Sequence, residues 1–410
     1  IIIVNHWGRV RLGIRPFFIS MIMNEENLIL RVIKNMRAGI VLLLSALSAV
    51  TVNAGDRVVD VEGFPSVESG YSLGVSACYA GRIGDYIIMA GGCNFPEAGK
   101  PKKYYTGIYA ARIDSCKLQW RLVGHLPEPA AYGGTVQSGD SLLFIGGNNS
   151  QHSLKTVYSV RLDNVETGAK IMRLADLPCT VDNMAVAMSG TDVFVVGGNQ
   201  DGKPSASVLC LSLDKSTPIE ANDENAFGSS SAWQELTTVP GKPRVQPVAV
   251  ARDNKLYVWG GFFADGENSV VHTDGSSLDL DNKTWERVAA PHSVDGKAVT
   301  LAGGVTWAQG DRILAAGGVN KDIFLDAISG RYARVRQEDY LKQPIGWYKF
   351  SGNLYEYDAM ADTWLNAYSS PSLARAGAQA VSTSAGTFYI GGELKPALRT
   401  PQIVLICKKP

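Results

Sequence analysis

Glu393 and Arg399 stand six positions apart in the run Gly391-Gly392-Glu393-Leu394-Lys395-Pro396-Ala397-Leu398-Arg399-Thr400. A carboxylate can take a proton from a reacting group, and a guanidinium can grip a carboxylate through two parallel hydrogen bonds. Held side by side, the two would bind and deprotonate a small anionic substrate. Each also has a plainer reading, Glu393 as an exposed turn charge or a partner of Lys395, Arg399 as a surface charge at a strand end. A hairpin would bring them together. Phe388-Tyr389-Ile390 reads as a buried strand ended by the glycine pair. Gln402-Ile403-Val404-Leu405-Ile406 reads as its returning neighbour, about 5 Å away, so the turn between them carries both charges to one end of the sheet.

The glycine pair is one of six. Apolar runs end in Gly-Gly at Gly91-Gly92, Gly146-Gly147, Gly197-Gly198, Gly260-Gly261, Gly317-Gly318 and Gly391-Gly392. Each run follows a turn, such as Ser138-Gly139-Asp140, and before that turn lies another small, apolar, alternating segment. After several pairs come an aromatic-bearing strand and a Trp strand, most clearly Leu354–Tyr357 followed by Thr363-Trp364. Four short strands per unit describe a propeller blade, and the glycines suit a rim where a side chain would strike the next blade. The pattern resembles the kelch repeat. It implies an all-β fold, a six-bladed kelch-type β-propeller over residues 55–410. The last unit runs out at Pro410 without its Trp strand. The segment Arg57–Glu62 reads as an orphan outer strand that completes the last blade and closes the ring, leaving no open interface. Asp214–Ser231 reads as a polar loop, and Phe324–Phe350 as a short helical flap after the fifth glycine pair.

Thirty-nine basic and 39 acidic residues cancel, which gives no support to a nucleic-acid or polyanionic partner. Residues 1–35 read as an upstream non-structural segment. Residues 36–54, with the apolar run Ala38–Val50 and the small-residue pattern Val52-Asn53-Ala54, read as a signal peptide. That run is shorter than the roughly 20 residues needed to span a bilayer, so the expected mature protein is periplasmic or secreted, with no membrane segment; a homodimer stays open. Six cysteines form no CxxC pair, and buried free thiols are expected for most. No zinc pattern is present among Cys and His.

In a propeller the residues just past the glycine pairs line the central pocket. Here they are Cys93-Asn94, Asn148-Asn149, Asn199-Gln200, Phe262-Phe263, Val319-Asn320 and Glu393. Amides both donate and accept hydrogen bonds, which suits a polyhydroxylated ligand such as a sugar, although Asn is also a good turn residue. Asn94 and Asn320 are the stronger candidates.

Gly392-Glu393-x-Lys395-Pro396-x-x-Arg399-Thr400 is similar to the Gly-Glu-Ala-Lys-Pro-Gly-Leu-Arg-Thr run of bacterial N-acetylneuraminate epimerases, also called sialic acid mutarotases. Gly317-Gly318-Val319-Asn320-Lys321-Asp322-Ile323-Phe324 resembles that family's Gly-Gly-Val-Asn-x-x-Ile-Phe run, Lys102-Lys103-Tyr104-Tyr105 its Lys-Lys-x-Tyr run, and Pro243-Arg244 a Pro-Arg position. In the family's best-known members the Gly-Glu-x-Lys-Pro unit lies mid-chain; here it is last, so the sequence looks circularly permuted, which a closed ring tolerates. The resemblance implies an isomerase that equilibrates the α and β anomers of N-acetylneuraminate by opening and closing the ring. Glu393 would be the general base. Arg399 would clamp the substrate carboxylate, helped by Arg244 or Lys103, and Asn94 and Asn320 would hold hydroxyl or acetamido groups. That chemistry calls for no metal or organic cofactor, and for a small-molecule sugar acid as partner. The competing reading is a non-catalytic kelch domain that binds a glycan or a protein, since one fold hosts many functions. A sialidase is disfavoured because its Ser-x-Asp-x-Gly-x-Thr-Trp repeats are missing. A kelch-type copper oxidase is disfavoured because the few His do not follow the glycine pairs.

Overall fold

A computed structural model describes residues 58–97, 99–215 and 232–407. The expected upstream segment, the expected signal peptide and residues 216–231 of the expected polar loop lie outside the described residues.

The described residues are nearly all β. They form six four-stranded antiparallel sheets, each built in chain order. The first comprises Tyr79–Ile83, Tyr86–Ala90, Gly107–Arg112 and Trp120–His125. The last departs from that rule. Its strands Gln379–Ser382, Thr387–Ile390 and Ile403–Ile406 are joined by Val58–Val61, paired from Val58 with Ile406 to Val61 with Ile403. The strand that looked orphaned in the sequence therefore satisfies the open edge of the last sheet, with Val61 buried against it.

The central strands are continuous apolar runs because both their faces are covered. In Tyr86–Ala90, Ile87 and Met89 pack with Phe388 and Ile390 of the last sheet, while Ile88 and Ala90 pack with Leu142 and Phe144 of the second. The alternation of side chains along a strand thus serves two neighbours at once. The same two-sided packing joins the second sheet to the third, the third to the fourth, the fourth to the fifth and the fifth to the last.

The glycine pairs sit where sheets approach most closely. A Cβ on Gly146 would lie 2.5 Å from the Val181 carbonyl oxygen, and one on Gly391 2.6 Å from that of Val75. Both glycines also have left-handed φ, 54° and 59°, a region costly to residues with a Cβ. The expected collision with the neighbouring unit is the reason for the motif. Inside the glycine pairs, a series of backbone hydrogen bonds links one residue per sheet. Tyr132 N–H donates to Ala77, Asn183 to Tyr132, Gln246 to Asn183, Gly303 to Gln246, Gly377 to Gly303, and Ala77 to Gly377. The series returns to its start. The arrangement is consistent with a β-propeller.

The expected flap is helical. Lys321–Ile328 is an α-helix capped by Asn320, Gln337–Tyr340 is a short α-helix, and Ile345–Tyr348 is a 3₁₀ turn. The cysteines correct the expectation of mostly buried thiols. None of the six forms a disulfide, yet only Cys78 and Cys93 are buried; Cys116 is exposed and the others are half-buried. Cys116, Cys179 and Cys407 sit on connections or just past a strand, where packing is incomplete, while Cys210 lies within the strand Ser207–Ser212. Among the described residues no helix is long and apolar enough to cross a membrane.

Candidate active site

The connection between the second and third strands of the last sheet folds into a two-stranded ribbon, Glu393–Lys395 against Leu398–Arg399. Pro396 and Ala397 make its turn, with Ala397 at a left-handed φ of 67°. The register places Glu393 directly opposite Arg399, with a bulge beside Glu393. Arg399 Nη1 lies 2.6 Å from Glu393 Oε2, and the side chains are 3% and 21% exposed respectively. The bond is not well aligned: Nη1 and Nε of Arg399 count as buried donors without a hydrogen-bond acceptor. The guanidinium therefore keeps donor capacity for something else. The plainer reading of Glu393 as a partner of Lys395 fails. Lys395 Nζ donates to the carbonyls of Leu341, at 3.1 Å, and Gln343, at 2.7 Å, and so ties the ribbon to the helical insertion.

Glu393 opens onto a cavity of about 170 Å³. Its walls come from several units: Ser76, Tyr132 and Gln246 near the ring of backbone bonds, Phe262 and Val319 past their glycine pairs, and Phe324, Tyr340, Tyr348 and Phe350 from the insertion. Phe262 and Phe324 meet edge to face at 5.0 Å. Removal from water pushes the Glu393 carboxyl above its ordinary pKa, and the Arg399 and Lys102 charges only partly offset this. Burial works to lower the Arg399 pKa, but the Glu393 carboxylate together with Tyr132 and Cys93 outweighs it and holds it above the usual value.

The other residues singled out from the sequence fare differently. Asn320 lines the cavity, but its side-chain oxygen caps the helix, accepting from Asp322 N and Ile323 N at 3.1 Å each. Asn94 is not presented to a ligand. Its amide donates to the carbonyls of Gly70 and Gly74 at 2.8 Å each and accepts from Tyr105 Oη at 2.8 Å, so a residue chosen as pocket lining is a buried brace. Arg244 is also structural: 1% exposed, with Nη1 on the Gly260 carbonyl at 2.9 Å and Nη2 on Asp274 Oδ2 at 2.6 Å. Lys103 points its ammonium at the Ser69 carbonyl, 2.7 Å away, and lies over the Tyr105 ring.

The neighbour of Lys103 takes the place expected for it. Lys102 Nζ lies 3.0 Å from Tyr132 Oη, sits over the rings of Tyr132, Tyr104 and Phe95, and acts on Glu393. Arg399 stacks over Phe95, with its guanidinium carbon 5.1 Å from the ring centre. The pair Lys102-Lys103 was visible in the sequence, but its direction was not. The Lys103–Tyr104 strand pairs with Cys93–Asn94, and successive side chains on such a ribbon face opposite ways. Tyr132 had no sequence signal of its own; it follows no glycine pair.

Comparison with known proteins meets this geometry. Residues 224–408 match the family model described as N-acetylneuraminate epimerase. The chain is 34% identical to an N-acetylneuraminate epimerase of Yersinia enterocolitica over 191 residues, 43% of this chain and 46% of that protein. It is 29% identical over 245 residues to one of Haemophilus influenzae, covering 55% of this chain and 57% of that protein. It is 29% identical over 266 residues to one of Escherichia coli K12, covering 61% and 64%. The chain thus spans about half the length of the curated relatives it matches. By sequence it is tied to the N-acetylneuraminate epimerases through the stretch that carries Glu393 and Arg399.

Proposed function

We propose that this chain is an N-acetylneuraminate epimerase, a mutarotase that equilibrates the α and β anomers of that sugar acid or a close relative. The observation that carries the reading is the Glu393–Arg399 pair, set opposite one another on a bulged ribbon, with Glu393 on the cavity wall and the Arg399 guanidinium buried behind it. Ring opening needs a group to take the anomeric hydroxyl proton while the bond to the ring oxygen breaks. Glu393 takes that role, its carboxylate made more basic by exclusion of water. Arg399 keeps unspent donors for the substrate carboxylate. Two cations, Arg399 and Lys102, stand against one carboxylate, so the site carries one positive charge to match one on the substrate. The amide and aromatic walls suit hydroxyl groups and a sugar ring.

On this reading the chain is a six-bladed kelch-type propeller whose ring is closed by the strand Val58–Val61. The returning series of backbone hydrogen bonds and the two-sided packing of all six sheets support it. The order of motifs supports a circularly permuted arrangement. A linear alignment captures one side of a permutation break, in keeping with matches limited to about half to two thirds of each relative. Export with loss of residues 36–54 is part of the same reading, supported by the apolar run and the small-residue pattern.

The test follows freshly released α-N-acetylneuraminate by NMR. The protein is expected to speed equilibration over buffer, and Glu393→Gln to lose about 10²–10⁴ of that rate with unchanged thermal melting. Binding of the sugar without acceleration by the intact protein would replace this reading with a non-catalytic glycan-binding propeller.

A further inference from the structure

Six residues donate in turn around the inner series of backbone hydrogen bonds, and all six have left-handed φ: Ala77 54°, Tyr132 59°, Asn183 54°, Gln246 52°, Gly303 70° and Gly377 62°. Glycine, and less often asparagine, suits that conformation. A bulky aromatic residue there is a genuine outlier, and such strain collects where a site needs a particular side chain. At Tyr132 the ring of bonds fixes the backbone from both sides, through Tyr132 N to Ala77 O at 2.9 Å and Asn183 N to Tyr132 O at 2.8 Å. The phenol is thereby held on the wall of the cavity that Glu393 opens onto.

Its hydroxyl is set up to move a proton. Lys102 Nζ is 3.0 Å away, and an ammonium has only protons to give. The phenol oxygen therefore accepts, and its own proton is directed elsewhere. Arg399 acts on the same phenol from the ribbon, and Cys93 lies near it, but a thiol is a weak acceptor that a sugar oxygen can displace. Two cations beside one phenol are what a transient phenolate needs.

Resting on the anomerase reading above, we propose that Tyr132 is the second proton-transfer residue of the reaction, with Lys102 and Arg399 stabilising its phenolate. In the opening step Glu393 takes the proton of the anomeric hydroxyl, and that oxygen forms a double bond to the anomeric carbon. The bond from that carbon to the ring oxygen breaks, its electron pair goes to the ring oxygen, and the ring oxygen takes the Tyr132 proton. After the keto group turns, the phenolate recovers its proton from the chain hydroxyl. That oxygen attacks the other face of the carbonyl, and protonated Glu393 returns its proton to the new anomeric oxygen. Both residues end as they began. Burial, the Cys93 thiol and the Glu393 carboxylate raise the Tyr132 pKa, with the Arg399 charge opposing, so the phenol stays protonated and ready as an acid.

Anomer exchange is measured by NMR in the wild type, Glu393→Gln, Tyr132→Phe and Lys102→Met, with melting curves and sugar binding for each. Tyr132→Phe keeps the ring and removes only the hydroxyl. It is expected to lower kcat by about 10²–10⁴ with KM changed no more than about threefold. Lys102→Met, which leaves the phenol in place, is expected to lower kcat, because removal of a cation raises the phenol pKa and makes it a weaker acid. If Tyr132→Phe keeps the wild-type kcat, or loses rate only through a rise in KM, Tyr132 is not the acid, whereas a dead Glu393→Gln would leave the general base in place. Absence of acceleration by the wild type would overturn both assignments. Should Tyr132→Phe fail to fold, an unchanged kcat in Lys102→Met would overturn the proposal instead.

Discussion

Removing a carboxylate from water raises its pKa, and a guanidinium beside it lowers it; at Glu393 the first effect is larger. The acid limb of activity should therefore fall above the ordinary glutamate value of about 4.3. Arg399→Met removes a charge that favours the carboxylate, so that limb is expected to move to still higher pH as kcat/KM falls. A limb that stays put, measured by pH–rate profiles of both proteins, would mean the ion pair does not govern Glu393. Residue types were legible here: one acid and one guanidinium six positions apart across a turn. Direction was not. Lys103 and Lys102 are equivalent as letters, and only strand pairing decides which ammonium meets Tyr132 and which meets the Ser69 carbonyl.

Short ribbons after the glycine pairs carry the site, and each must be braced to hold its side chains still. Asn94 does this for the ribbon Cys93–Asn94 with Lys103–Tyr104, joining it to the Gly70–Gly74 segment through both carbonyls and to Tyr105. Asn94→Ala would leave those buried groups unpaired. It is expected to cost about 1–3 kcal/mol of stability and to leave KM unchanged at temperatures below the transition, measured by denaturant unfolding and anomer-exchange kinetics. A large rise in KM with unaltered stability would restore Asn94 as a ligand. The insertion is the other positioning element. Lys395 fastens it to the ribbon that bears Glu393, and the aromatic cluster of Tyr332, Tyr340, Trp347 and Tyr348 gives it a small core of its own.

At the scale of the molecule, stability rests on each sheet being covered on both faces. The last sheet depends on Val58–Val61 for its outer edge. A chain beginning at Gly63 would expose the backbone of Ile403–Ile406, a buried apolar strand and a ready template for pairing between molecules. Such a truncation is expected to melt at a lower temperature and to aggregate with concentration, followed by calorimetry and light scattering. Unchanged melting would mean that the strand is dispensable.

The repeat, the glycine pairs, the missing outer strand, the helical insertion and the Glu393–Arg399 hairpin were all legible in the sequence. Each rests on local rules: alternation along strands, the left-handed backbone that glycine allows, and short turns that join neighbouring strands. The tertiary structure decided what lies between units. It turned Asn94 and Arg244 from ligands into braces, spent the Asn320 oxygen on a helix cap, and brought Tyr132 to the Glu393 cavity, with Lys102 behind it, from two other units. Those placements depend on which face of a strand meets its neighbour and on which buried carbonyl needs a donor. For Lys102 and Tyr132 the partner, Glu393, lies in a distant part of the chain, and for Asn94 and Arg244 it is a carbonyl of another segment of the same region; the motif spacing encodes neither.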